Sequence, residues 1–192
     1  MAFVDPPPHG PDAQRLYDDD VATVGYVMNA SRLWAHQPAS SDALFALMEQ
    51  AAAPLALDRR RRGILVAACA STMGDSYCSL AWGGRLAAAS DTDTAVSVLL
   101  GGDQGLTTAE RAMAGWARAV ARDPNATVRA DVQVLRDAGF SDGDVFAITL
   151  FVALRIAYST VNDALGARPD AALRDAAPAP LRDAVDYGRP VG

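Results

Sequence analysis

Residues 58–89 read DRRRRGILVAACASTMGDSYCSLAWGGRLAAA. Asp58 stands where a side-chain oxygen can accept orphan amide protons, and the Ala-rich run Arg59 to Met73 then favours a helix. Gly74 breaks it, Asp75 caps the next, and Ser76 to Ala89 resumes helical composition. The stretch is helix, break, helix. Outward from it, the same pattern predicts helices over Ala13 to Asp20, Asn29 to His36, Ser41 to Ala53, Asp93 to Leu100, Thr108 to Arg122, Ala130 to Ala138 and Asp142 to Leu165. Ser40 or Ser41, Thr107 and Ser141 supply caps, Thr107 to Glu110 has capping-box spacing, and Pro54, Gly101-Gly102, Pro124 and Gly139 mark breaks. No strand pattern emerges, so the expected class is all-α.

The helix from Asp142 to Leu165 is apolar nearly all round, with Val145, Ile148, Val152 and Ile156 on one face and Phe146, Leu150, Ala153 and Ala157 on others. Enclosing it in one small chain calls for neighbouring subunits, so a homo-oligomer is expected. Its apolar run Val145 to Leu154 ends at Arg155 and is shorter than a bilayer requires, which predicts no membrane partner. Residues 1–11 hold Pro6, Pro7, Pro8 and Pro11 and read as an extended N-terminal arm able to lie on a neighbouring subunit. Residues 12–166 form the domain. Residues 167–192, rich in Pro, Ala and Asp, read as a mostly exposed C-terminal tail with one short helix near Ala171 to Ala176.

The 192 residues carry 17 basic and 23 acidic side chains, a formal charge of −6, which disfavours nucleic acid and anionic lipid. All the cations are Arg. Without lysine, Schiff-base chemistry and the phosphate-loop lysine are excluded. The start MAFVDPPPHG lacks a basic, apolar leader, so a cytoplasmic location is expected. With only His9 and His36 and no clustered acids, zinc, di-iron and Ser-His-Asp machinery lack parts, and no metal or cofactor is expected. His36 reads as a helix-end residue capping carbonyls, and Leu100 to Gly105 as a turn. Arg59 to Arg62 opposes the macrodipole at a helix start, so it is either a solvated face paired with acids or a site for an acidic ligand.

The remaining chemistry lies in residues 73–82. Cys78 falls in the first turn after the Asp75 cap, where free N–H groups stabilise a thiolate. The Asp75 carboxylate one turn away works against that. Met73, Tyr77 and Trp82 could line an apolar pocket, or simply be core. Cys69 is expected to be core, and an inert, buried Cys78 is the competing reading.

From Val24-Gly25-Tyr26-Val27 to Leu165-Gly166 the chain resembles the alkylhydroperoxidase D and carboxymuconolactone decarboxylase superfamily, particularly its peroxidase-related branch. The blocks that carry the resemblance are Leu106 to Arg111, Ala117-Arg118, Arg122-Asp123-Pro124, Val132 to Leu135, Ala138 to Asp142 and Asp163 to Gly166. It implies an all-helical fold, trimers or hexamers, and a thiol peroxidase site of CxxC followed four residues later by His, with an upstream Glu in the proton relay. Here Cys78 matches the second Cys, Asp75 stands at the first, Trp82 at the His, and the Glu position falls near Gly63. The block Tyr158 to Val161 also departs from the family pattern.

Cys78 therefore lacks a local resolving thiol and both relay groups, and turnover would need an external thiol reductant. Three readings stay open: an antioxidant thiol peroxidase working through Cys78 alone, a repurposed small-molecule-binding protein or enzyme of another reaction class, and a non-catalytic oligomer.

Overall fold

The helix pair read from residues 58–89 forms the centre of the molecule. The computed structural model describes residues 2–8 and 10–190, which form eleven α-helices and no strand. They are α1 (Pro11–Val24), α2 (Asn29–Trp34), α3 (Pro38–Ala52), α4 (Arg59–Met73), α5 (Ser76–Ala89), α6 (Thr92–Leu99), α7 (Thr108–Arg122), α8 (Arg129–Asp137), α9 (Asp142–Ala164), α10 (Ala171–Ala176) and α11 (Ala179–Ala184).

Every residue of α4 from Gly63 to Ala70 is buried, because α5, α7 and α9 all pack on it. Small side chains permit that crowding. At Gly63 a Cβ would stand 3.1 Å from Leu86 Cβ, so this glycine sets the close crossing of α4 and α5. Position 63 is thus a packing contact, and a glutamate does not fit there. The Asp58, Asp75, Thr107 and Ser141 caps all form, each accepting from the backbone N–H three residues on. Four starts differ from expectation: α1 begins at Pro11, α3 at Pro38, α6 at Thr92 and α8 at Arg129. Pro38, tolerated in a first turn, opens α3 ahead of the serines, and Asp91 caps α6.

Within the chain α9 is not enclosed on every side. Its inner face packs on α3, α4 and α7, whereas Phe146 is 70% exposed. Its apolar stretch also exceeds the expected run: α9 is long and apolar enough to cross a membrane, although it serves here as a bundle helix with Arg155 buried in its middle.

The two termini pack on the domain. Phe3 N donates to Leu165 O, and the exposed His36 Nε2 lies 3.0 Å from Asp5 O, so residues 2–8 lie on their own chain; His9 is outside the described residues. The tail is mostly exposed, as expected, but it forms two short helices rather than one and anchors on the domain. Leu181 and Ala184 of α11 are buried, with α11 packed on α5 and α6. Beyond α11, Tyr187 OH donates to Ser79 Oγ and Ser76 Oγ donates to Arg189 O, which straps the tail across the start of α5.

Candidate active site

The Asp75 cap fixes the first turn of α5: Asp75 Oδ1 accepts from Cys78 N at 2.9 Å. That bond turns Cys78 into the core, where it is 2% exposed and faces α9. Arg155 and Ser159 lie one turn apart on that helix and share a face. Arg155 Nη2 is 3.3 Å from Cys78 Sγ, and Ser159 Oγ donates to the same sulfur at 3.7 Å. A guanidinium and a hydroxyl therefore converge on one thiol.

The surroundings of Arg155 are unusual for a buried cation. It is 4% exposed, its Nη1 reaches Met48 Sδ at 3.9 Å, and its guanidinium lies over the rings of Tyr158 and Trp82. Among the described residues no carboxylate lies within ion-pair distance, and Arg155 Nε has no hydrogen-bond partner. Soft and aromatic groups replace the expected acid. A buried charge without a counter-charge is costly, and an anion on Cys78 or on a bound molecule would offset it.

Burial pushes the Cys78 thiol above its ordinary value, Arg155 pulls it down, and the charge and hydrogen bonding of Asp75 push it further up. Asp75 is fully buried with Oδ2 unpartnered, an acceptor within the site. Cys69 lies in the core of α4, where burial pushes its thiol up to about 12, and both cysteines are free. Near the strap, burial and the charge of Asp75 raise Asp163 to about 7, against the opposing pull of Arg189.

The other residues singled out in the sequence separate. Trp82 lines a groove of about 610 Å³ with Leu57, Arg59, Arg62 and Arg85. Tyr77 does not line it: its hydroxyl donates to the Asp170 carboxylate and takes a long bond from Ala30 N, tying α5 to α2 and the tail. Met73 lines a different, smaller cleft with Gly74, Asp163, Gly188 and Arg189. Within the basic run, Arg60 pairs with Glu110 and Arg62 with Glu49. The sequence marks Arg155 only as the end of an apolar run and Ser159 only within the block Tyr158 to Val161, and joins neither to Cys78. The available signal was one arginine inside an otherwise all-apolar helix, a charge that burial must bring to a partner.

The fold is shared with solved structures. The alkylhydroperoxidase AhpD core of an uncharacterised peroxidase-related protein from Ralstonia eutropha superposes with a TM-score of 0.77 at 23% identity, over 90% of this chain and 94% of that one. The fold is that of the AhpD core. A second uncharacterised peroxidase-related protein, from Silicibacter sp., gives 0.74 at 21% identity, over 88% and 92% of the two chains. The apo debrominase Bmp8 gives 0.72 at 15% identity over 92% of each, and a cysteine-to-alanine variant of Bmp8 is known in complex with 2,3,4-tribromopyrrole. No protein-family model and no curated protein matches the sequence. On this fold the residues around the thiol are Asp75, Arg155 and Ser159. Among the described residues no group of three His, Cys, Asp or Glu side chains is placed to hold a metal ion.

Proposed function

We propose that the protein is a one-cysteine thiol oxidoreductase in which Cys78 reduces a small peroxide and an external thiol restores it. The observation that carries this reading is the guanidinium of Arg155, buried without a carboxylate and 3.3 Å from Cys78 Sγ. In the first step the sulfur attacks one peroxide oxygen, the O–O bond breaks and the alcohol leaves. Cys78 becomes a sulfenic acid, while the thiol proton ends on the leaving oxygen. Arg155 stabilises the thiolate and the developing negative charge; Ser159 donates a hydrogen bond at the sulfur. Asp75 is the acceptor through which the thiol proton can pass. With no second thiol beside it, the sulfenic acid condenses with an external thiol to a mixed disulfide and water. A second external thiol then releases Cys78 and leaves with the first as a disulfide.

A second reading, a small-molecule enzyme of another reaction class at the same pocket, is favoured by the near-complete burial of Cys78 and by the likeness in fold to a debrominase. We also propose a homo-oligomer, trimer or hexamer, because Phe146, Val134 and Val128 are each more than half exposed on α8, α9 and the turn before α8. A cytoplasmic location, where thiol reductants are plentiful, belongs to the same proposal. The test is trapping with dimedone after one equivalent of hydrogen peroxide. One adduct on Cys78 is expected, absent in Cys78→Ser and retained in Cys69→Ser. An unlabelled Cys78 in protein that consumes no peroxide would favour the second reading.

A further inference from the structure

Trp82 stands one turn along α5 from Cys78 and forms one wall of the groove of about 610 Å³. That volume suits a small organic molecule. Val24 and Leu57 add apolar walls, and Arg59, Arg62 and Arg85 project cations into the same space. These cations are not equivalent. Arg62 is held by both oxygens of Glu49 and lies over the Phe151 ring. Arg59 and Arg85, among the described residues, have no carboxylate within ion-pair distance. Asp58, also in the groove, accepts at Oδ1 from the N–H of Arg61 as the α4 cap. Arg85 lies 4.6 Å from the centre of the Trp82 ring, and Arg155, buried and lacking a carboxylate, lies 5.6 Å from the same ring.

A protein of charge −6 thus gathers unneutralised guanidinium groups around a single indole. Cations lining one cleft favour an anion there even though the net charge of the protein opposes its approach.

We infer that this groove binds a small organic monocarboxylate, its carboxylate held by Arg59 and Arg85 and its apolar body against Trp82, Leu57 and Val24. The planar guanidinium fork matches a carboxylate, and the Asp58 carboxylate in the same groove penalises a dianion such as phosphate. Cys78, Arg155 and Ser159 do not line this groove; it adjoins the thiol site through Trp82, whose ring also faces Arg155. Delivery of such a ligand to the thiol would rest on the reading of Cys78 as reactive; the binding itself does not.

Calorimetric titration of the full chain with phenylacetate and with hexanoate tests it, with phenylacetamide as the neutral counterpart. Saturable binding of at least one carboxylate is expected, at least about tenfold tighter than the amide. Arg85→Gln and Arg59→Gln should each weaken it about tenfold, and Arg61→Gln, on the same run but outside the groove, should leave it unchanged. Cys78→Ser should also bind normally, which separates failure of the thiol reading from failure of this one. Absence of binding by both carboxylates, equal binding of the amide, tighter binding of inorganic phosphate, or unchanged affinity in both groove variants would overturn the inference.

Discussion

Two buried or partly buried arginines hold opposite positions in this molecule. Arg60, at the start of α4, meets Glu110 with Nε at 2.6 Å and Nη2 at 3.2 Å, and Nη2 also reaches Gly105 O at 2.7 Å. Glu110 in turn closes the capping box by accepting from Thr107 N. Burial tends to raise the Glu110 carboxyl, but Arg60 and Thr107 hold it down at about 2. That site is electrostatically complete. Arg155 is more deeply buried, yet faces a thiol, a thioether and two rings, with Nε unpartnered. The comparison teaches that burial of a charge does not mark a functional site. A missing counter-charge does: the Arg60 charge is met by Glu110, whereas Arg155 meets no carboxylate among the described residues.

The sharpest break of this contrast is Arg155→Gln. The variant is expected to lower the rate of Cys78 sulfenylation by peroxide about a hundredfold, because each unit lost from thiol acidity removes about tenfold of thiolate. Its stability should hold or rise, since an uncompensated charge leaves the core. Stopped-flow peroxide kinetics and chemical denaturation read both.

At the complete site the effect should fall on folding instead. Glu110→Gln is expected to cost about 2–3 kcal/mol near neutral pH with no change in thiol reactivity. The Glu110 carboxyl lies below its ordinary 4.5 in the folded chain, so its contribution is full above that value and is lost as pH falls through about 2. Urea titrations of wild type and variant should therefore converge in strong acid.

Asp75→Asn keeps a capping side chain while removing the charge that pushes the Cys78 thiol up. Alkylation of Cys78 should speed up about tenfold, and an unchanged rate would remove Asp75 from the account. A smaller effect belongs to Asp163, whose carboxyl is raised to about 7. Folding favours its protonated form, so stability falls as pH rises from its ordinary 3.8 to about 7. Asp163→Asn should raise the melting temperature by about 2–4 °C at pH 8 and leave it unchanged at pH 3.

The legible parts of the fold were local. A side-chain oxygen at Asp58, Asp75, Thr107 or Ser141 caps an amide three residues away, so the signal and its effect fall within one turn. The anchoring of the tail is not legible, because Leu181 finds its partners on distant helices, including the close approach at Gly83, and nothing in an Ala- and Pro-rich sequence reveals that. Gly63 looked like a missing acid, whereas its small size serves the crossing with Leu86. At the site, Cys78 and Asp75 could be read because the cap places both. Arg155 could not be joined to them, being 77 residues away in sequence. Its solitude in an apolar helix was the trace it left.

Arg155 opposes the burial that silences Cys78. The most direct measurement is the pH profile of Cys78 alkylation by iodoacetamide, followed by mass spectrometry in the Cys69→Ser background with and without Arg155→Gln. The expected result is a midpoint displaced upward in the Arg155→Gln protein, with slower alkylation at every pH below it. Coincident profiles would show that the guanidinium does not act on the thiol, and would contradict the account.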